Sequence, residues 1–336
     1  MKRTKKLLAG IIAATMMFSM SATAFAADGS PQPQEGTVTI TKDYIASNDD
    51  GVVSPADTFG FSISLVDVTD AGEEIAEGDI PVPTISDVVY AEGAAGSEHS
   101  KADIEITLPN YDSVGIYTYA ITENSSNTAG VTTDTGTVYL KVTVTNQDGQ
   151  LVCNTAVRKG SVDAVDKIGE DDTAFENKYE AGTLSIKKEV TGNLGDKEKY
   201  FEFKVTLTAP EGKNVNSTIK VGETPYVDNP EAIVIGQETT FHLKHGDTLN
   251  LSNIPYGVSY KVEEIAADKY ETTVNGSEVS SAQDTFDGDE LLTFVNDKTG
   301  DVDTGINMDS LPYILVFAGV AVIAAVMIVR RRRIDD

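Results

Sequence analysis

The chain has 336 residues, room for about two ordinary domains between flanking segments. Acids outnumber bases 53 to 26, and the formal charge of -27 excludes electrostatic capture of nucleic acid by the whole chain. With 1 Cys and 3 His no intrachain disulfide framework can form and little material is left for a metal site, while 28 Gly, 13 Tyr and no Trp lean toward β structure.

The N-terminus carries Lys2, Arg3, Lys5 and Lys6, then an apolar stretch from Leu7 to Met20, then the small-residue site Ala24-x-Ala26. This order predicts a secretory signal peptide over residues 1–26, cut between Ala26 and Ala27. Residues 27–35 follow as a linker.

Alternation with period two then dominates. Thr37 to Lys42 alternates, as does Phe59 to Leu65. Val138, Leu140, Val142 and Val144 share one face of a strand. Asn146-Gln-Asp-Gly149 makes a turn, and Leu151, Cys153, Thr155 and Val157 resume the pattern. Long amphipathic helical patterns are absent from this part of the chain. The expected fold is all-β, as two tandem immunoglobulin-like β-sandwich domains over residues 36–180 and 181–298. Cys153 falls on an apolar face and reads as core. His242 and His245 lie around a strand end and read as surface or turn residues, and His99 sits in a Gly/Ser-rich loop. Acidic stretches such as Asp284 to Glu290 lack the ligand order of a calcium loop, so no metal site is expected.

The second half repeats the first. Val38-x-Ile40-x-Lys42, Phe59-x-Phe61-x-Ile63, Tyr119-x-Ile121-x-Glu123 and Phe175-x-Asn177 recur in order as Leu184-x-Ile186-x-Lys188, Phe201-x-Phe203-x-Val205, Tyr260-x-Val262-x-Glu264 and Phe294-x-Asn296. In each copy a Lys, a Glu and an Asn continue an apolar period-two run, so all three point inward. Lys187 beside Lys188 and Glu263 beside Glu264 fall on the opposite phase.

Burying a lone ammonium or carboxylate is costly unless it is paired or neutralised. For a single trio, a buried ion pair with an Asn hydrogen bond, or snorkelling at strand ends, is the simpler explanation. Recurrence of the trio in two copies favours chemistry instead. Desolvation lowers the pKa of a buried Lys and raises that of a buried Glu. A neutral amine can attack the Asn amide carbon, while a protonated Glu polarises the Asn carbonyl oxygen and relays protons to departing ammonia. The product is an isopeptide bond, Lys42–Asn177 in one copy and Lys188–Asn296 in the other. By analogy with a disulfide closing a loop of about 100 residues, each bond adds roughly 4 to 5 kcal/mol.

Beyond the last strand, a stem over residues 299–310 contains Thr304-Gly305. An apolar run, Leu311 to Val329, covers about 28 Å as a helix, close to the hydrocarbon thickness of a bilayer. Arg330 to Arg333 open the basic tail 330–336 and hold that end in the cytoplasm. Thr-Gly, span and arginines in this order resemble the sorting signal of Gram-positive wall-anchored proteins. That resemblance implies cleavage by a sortase between Thr304 and Gly305. Asp301 and Val302 stand where the family pattern has Leu and Pro. An ordinary single-pass anchor is the other reading of the same segment.

The repeated trio resembles the Gram-positive two-domain pilin family with self-forming Lys–Asn isopeptide bonds, of the streptococcal type. The second copy carries the likeness best, in Gly182-Thr-Leu-Ser-Ile-Lys-Lys-Glu-Val-Thr-Gly192, Asn253-Ile-Pro-Tyr-Gly257 and Tyr260-Lys-Val-Glu-Glu264. The resemblance implies Lys42 and Lys188 as nucleophiles, Glu123 and Glu264 as acid/base groups, and Asn177 and Asn296 as acceptors. It implies no cofactor, and no enzyme activity beyond single-turnover self-crosslinking. It also implies an extracellular, wall-anchored subunit or stalk whose partners are a sortase and peptidoglycan or neighbouring pilins. No distinct Tyr-Pro-Lys pilin signature is present; Lys159, Lys167 and Lys178 are acceptor candidates by location. A free-standing adhesin binding a host ligand, with loops such as 66–100 as its surface, is the alternative.

Overall fold

The computed structural model describes residues 32–33, 36–46, 52–72, 75–94, 100–164, 167–169 and 172–301. The signal site Ala26–Ala27, His99, Thr304–Gly305, the apolar run 311–329 and the tail 330–336 lie outside the described residues.

Strands form wherever apolar and polar residues alternate. Thr137–Gln147 buries every second side chain, and so do Phe201–Thr208 and Ala181–Thr191. Gly149, at φ 85°, closes the hairpin between Thr137–Gln147 and Gln150–Lys159. Among the described residues the one helical element is a 3-10 turn, Glu77–Asp79.

The strands build two sandwiches. In the first, one sheet runs Gln32–Pro33, Gln150–Lys159, Thr137–Gln147, Gly115–Glu123, Phe61–Thr69. The facing sheet runs Thr84–Ile85, Ser100–Thr107, Thr37–Ala46, Thr173–Tyr179, Val131–Thr132. Ile40, Ile104, Tyr119, Leu140 and Phe175 from the two sheets share one core. In the second sandwich, one sheet runs Lys220–Val221, Thr248–Pro255, Ala181–Thr191, Glu290–Asp297, Glu271–Val274, and the other Glu238–Leu243, Phe201–Thr208, Ser259–Glu264, Ser281–Thr285. Ile186, Phe203, Leu249, Val262 and Phe294 fill its core. Cys153 is buried in the first core, and burial pushes its thiol up to about 11.

Both sandwiches place their first long strand parallel to their last. Thr37–Ala46 lies beside Thr173–Tyr179, and Ala181–Thr191 beside Glu290–Asp297. The remaining strand pairs are antiparallel. A parallel pair cannot be joined by a short hairpin, so the rest of each domain is threaded between these two strands.

The two sandwiches meet at a short, polar junction. Only Glu180 separates Thr173–Tyr179 from Ala181–Thr191. Its N–H donates to the Gly130 carbonyl at 2.9 Å, and its carbonyl accepts from the Tyr256 N–H at 3.0 Å. Gly130 has φ 77°, and a Cβ there would sit 2.6 Å from the Glu180 oxygen, so this close approach requires glycine. Asn253, buried and at φ 63°, reaches across from the second sandwich. Its Oδ1 accepts from the Val53 N–H at 2.9 Å, and its Nδ2 donates to the carbonyls of Val53 (3.1 Å) and Thr218 (3.0 Å). Backbone bonds from Ala129 to Asn214 and from Asn214 to Asn127, both 2.8 Å, extend the seam.

Asn253→Ala removes all three side-chain bonds and leaves the Val53 amide without its acceptor. Hydrogen exchange at Val53 then accelerates by at least about tenfold, while amides of the two cores keep their protection.

Candidate functional site

Each sandwich holds an internal site of Lys, Glu and Asn, built the same way twice. Lys42 is on the first long strand and Asn177 on the neighbouring parallel strand. Lys42 pairs in register with Phe175, so Asn177 lies two residues further along on the same face. The second copy keeps this offset, since Lys188 pairs with Phe294 and Asn296 lies two residues beyond. Glu123 and Glu264 come from the facing sheet, where they pair with Phe61 and Phe203. One sheet therefore supplies the amine and the amide, and the other supplies the carboxyl.

All six groups are withdrawn from water. Lys42, Asn177, Lys188 and Asn296 are 0% exposed, Glu264 is 2% exposed, and the Glu123 side chain is 0% exposed. Aromatic rings complete each chamber. The Lys42 ammonium lies 4.9 Å from the Phe59 ring centre, and that of Lys188 lies 4.6 Å from Phe201. Phe61 packs on Phe175 at 5.3 Å, and Phe203 packs edge-on against Phe294 at 5.1 Å. Phe59-x-Phe61 and Phe201-x-Phe203 thus wall the same site in both domains. The neighbours of opposite phase stay outside: Lys187 pairs with Glu189 and Glu263 with Lys261 at the surface.

The glutamate bridges the two nitrogens. Lys42 Nζ donates to Glu123 Oε2 at 3.0 Å, and Asn177 Nδ2 donates to Glu123 Oε1 at 2.5 Å. Lys188 Nζ donates to Glu264 Oε2 at 3.1 Å, and Asn296 Nδ2 donates to Glu264 Oε1. The carboxyl therefore meets the amide nitrogen, whereas the sequence reading put it on the amide oxygen. The reason is visible in the first domain, where the Asn177 oxygen is turned away to accept the Asp134 N–H at 2.8 Å. This orientation suits proton relay from nucleophile to leaving group through one carboxyl.

Electrostatics pull both partners toward neutrality. Burial lowers Lys42 and Lys188 to about 8, against the opposing pull of Glu123 and Glu264. Burial raises Glu123 and Glu264 above the usual carboxylate range, although their lysine partners pull the other way. A free amine beside a carboxamide, with a carboxyl in contact with both nitrogens, is equipped for aminolysis of the amide with loss of ammonia.

Other sequence expectations resolve more simply. His245 Nδ1 accepts from the Val190 N–H at 3.0 Å, and His242 stacks on Tyr226 at 4.5 Å. Asp134 escaped sequence reasoning because the second copy has no equivalent residue to flag it.

A family model described as "Spy0128-like isopeptide containing domain" matches residues 4–180, and one for a domain of unknown function matches residues 182–298. A pilin of Streptococcus pyogenes serotype M1 is 28% identical over 303 residues, which cover 82% of this chain and 85% of the relative. The pilus tip adhesin Cpa of Streptococcus pyogenes is 33% identical over 129 residues, 38% of this chain and 18% of the relative. The crystal structure of the major pilin from Streptococcus pyogenes superposes with TM-score 0.52 at 26% identity, covering 79% of this chain and 99% of that one.

A lysine that remains uncrosslinked leaves a pH signature. In the native fold burial holds Lys188 at about 8, against 10.5 when unfolded, and Asn296→Ala removes the amide that would consume this amine. Between these values the unfolded chain holds the extra proton, so the lysine's own contribution to stability rises with pH through that window and is constant below it. Thermal melts of Asn296→Ala, compared with Lys188→Met/Asn296→Ala as the lysine-free reference, show this rise in the first variant alone.

Proposed function

The chain belongs to the family of Spy0128-like isopeptide containing domains, and from that premise we propose that it is a pilin-like structural subunit of the cell surface, stiffened by autocatalytic Lys42–Asn177 and Lys188–Asn296 bonds. The observation that carries this reading is the glutamate held between amine and carboxamide in a dry chamber, once in each sandwich. Lys Nζ attacks the Asn Cγ, the protonated Glu gives its proton from Oε1 to the Asn Nδ2, which leaves as ammonia, and Glu Oε2 takes a proton from the amine in its place. Folding supplies the proximity that makes an amide reactive. The role is structural, since each site turns over once.

In this reading residues 36–180 and 181–298 are the crosslinked domains. Residues 1–26 direct export, and residues 299–310 form a stem in which a sortase cuts Thr304–Gly305. Residues 311–336 hold the precursor in the membrane until that cut. Peptidoglycan or the next subunit receives the Thr carbonyl. For polymerisation, Lys159 and Lys178 line one surface groove of about 550 Å³ with Thr133, Thr173 and Glu176, within reach of an external enzyme.

The adhesin reading draws on the 129-residue likeness to a pilus tip adhesin. Wall extracts on denaturing gels separate the two. A ladder of high-mass species is the pilin outcome, and a single wall-linked band is the adhesin outcome.

The intact mass of the purified chain tests the crosslinks directly. Each bond removes one ammonia, about 17 Da, so two bonds lower the mass by about 34 Da from that set by its termini. Lys42→Ala and Lys188→Ala each restore one loss, as do Glu123→Gln and Glu264→Gln, which keep the fold but cannot relay the proton. A full, unmodified mass for the native chain refutes the reading.

A further inference from the structure

The two sites differ in what meets the oxygen of the amide under attack. In the first, the Asn177 Oδ1 accepts the backbone N–H of Asp134 at 2.8 Å. In the second, the Asn296 Oδ1 is buried and has no hydrogen-bond partner among the described residues.

The difference originates in the edge strand beside each asparagine. In the second sandwich, Glu271–Val274 pairs with the asparagine strand straight through Thr272↔Asn296 to Val274↔Phe294. In the first, the equivalent strand stops early. Val131–Thr132 pairs with Tyr179 and Lys178, and the chain leaves the ladder before it reaches Asn177. It turns instead through Asp134. The Asp134 Oδ1 accepts from the Gly136 N–H at 2.7 Å, and Oδ2 accepts from the Glu176 N–H at 3.0 Å and from Lys159 Nζ at 3.3 Å. Burial alone would raise this carboxyl, but these donors outweigh it and hold it below the usual range. The anchored carboxylate ties the turn to the residue just before Asn177, and so fixes the Asp134 N–H on the Asn177 oxygen.

We propose that the Asp134 backbone N–H is an oxyanion donor for the first crosslink, and that the second crosslink forms without such a donor. This rests on the isopeptide reading above. When the Lys42 nitrogen lone pair attacks Asn177 Cγ, the carbonyl π electrons move onto Oδ1. A fixed N–H at that atom stabilises the tetrahedral intermediate without reorganisation. Collapse then restores the carbonyl and expels Nδ2 as ammonia with the proton that Glu123 gives it, and Glu123 regains a proton from the Lys42 nitrogen. Glu123 thus handles the nitrogens and Asp134 handles the oxygen. Removing one such donor from an enzyme costs about 10² to 10³ in rate.

The test follows the full chain made by cell-free synthesis, quenched at intervals in acid and urea and digested. The crosslinked and open peptides of each domain are then quantified by mass. Asp134→Ala and Asp134→Pro both remove the carboxylate, and only the second removes the N–H. Asp134→Pro closes Lys42–Asn177 at least about tenfold more slowly than Asp134→Ala. Lys188–Asn296 closes at the native rate in both, as the internal reference. First-domain rates that stay at the native value in both variants overturn the proposal while leaving the crosslink intact. Absence of both bonds in the native chain overturns the isopeptide reading itself. Melting both substitutions in a Lys42→Ala background checks that the first domain folds alike. If the proline variant does not fold, Asp134→Ala against the native chain decides, with slowing confined to the first domain expected and an unchanged rate contrary to the proposal.

Discussion

An ammonium group buried against a carboxyl, with phenylalanine rings on the remaining sides, governs how this molecule is put together. Neither Lys42 nor Lys188 reaches water, and each depends on one glutamate from the opposite sheet. Such an arrangement is a poor way to stabilise a core, because the desolvation of both charges offsets most of their attraction. Two domains of one chain nevertheless carry it with the same register offset and the same aromatic walls. A site that costs stability and is repeated in detail fits the reactive role proposed above, in which the neutral pair favoured by burial is the form that reacts.

Topology makes that chemistry useful. Because the first and last long strands of each sandwich are parallel neighbours, a link between them closes almost the whole domain into a ring. The single residue Glu180 then passes the chain directly from the asparagine strand of one ring to the lysine strand of the next. The Asn253 and Asn214 contacts link the two sandwiches across the seam by hydrogen bonds. In the proposed crosslinked form, a subunit without disulfides gains rigidity this way whatever the redox state of its surroundings.

Much of this was legible in the residues. Period-two alternation located the long strands, and the same phase put Lys42, Glu123 and Asn177 inside together with their second-copy counterparts. Internal repetition supplied what one strand cannot, since comparing the copies separated Lys188 from Lys187 and Glu264 from Glu263. Other features were out of reach for physical reasons. Alternation reports one covered face, so the burial of Thr39, Thr41 and Asp43 on the other face of the first lysine strand left no mark. Asp134 acts through its main chain and belongs to a turn found in one copy only, so neither side-chain chemistry nor repetition could single it out. Asn253 looked like part of a family motif, yet its role depends on a left-handed backbone and on a partner, Val53, that is distant in sequence.

The copies also differ in size: 54 positions separate Glu123 from Asn177, against 32 between Glu264 and Asn296. Once a ring is closed, everything threaded inside it lies off the line between the subunit's two ends. Extra turns and strands there enlarge the girth of the molecule and leave its reach along a filament unchanged. In the proposed crosslinked subunit the interior of each ring can therefore differ in length while the distance from one end of the subunit to the other stays the same.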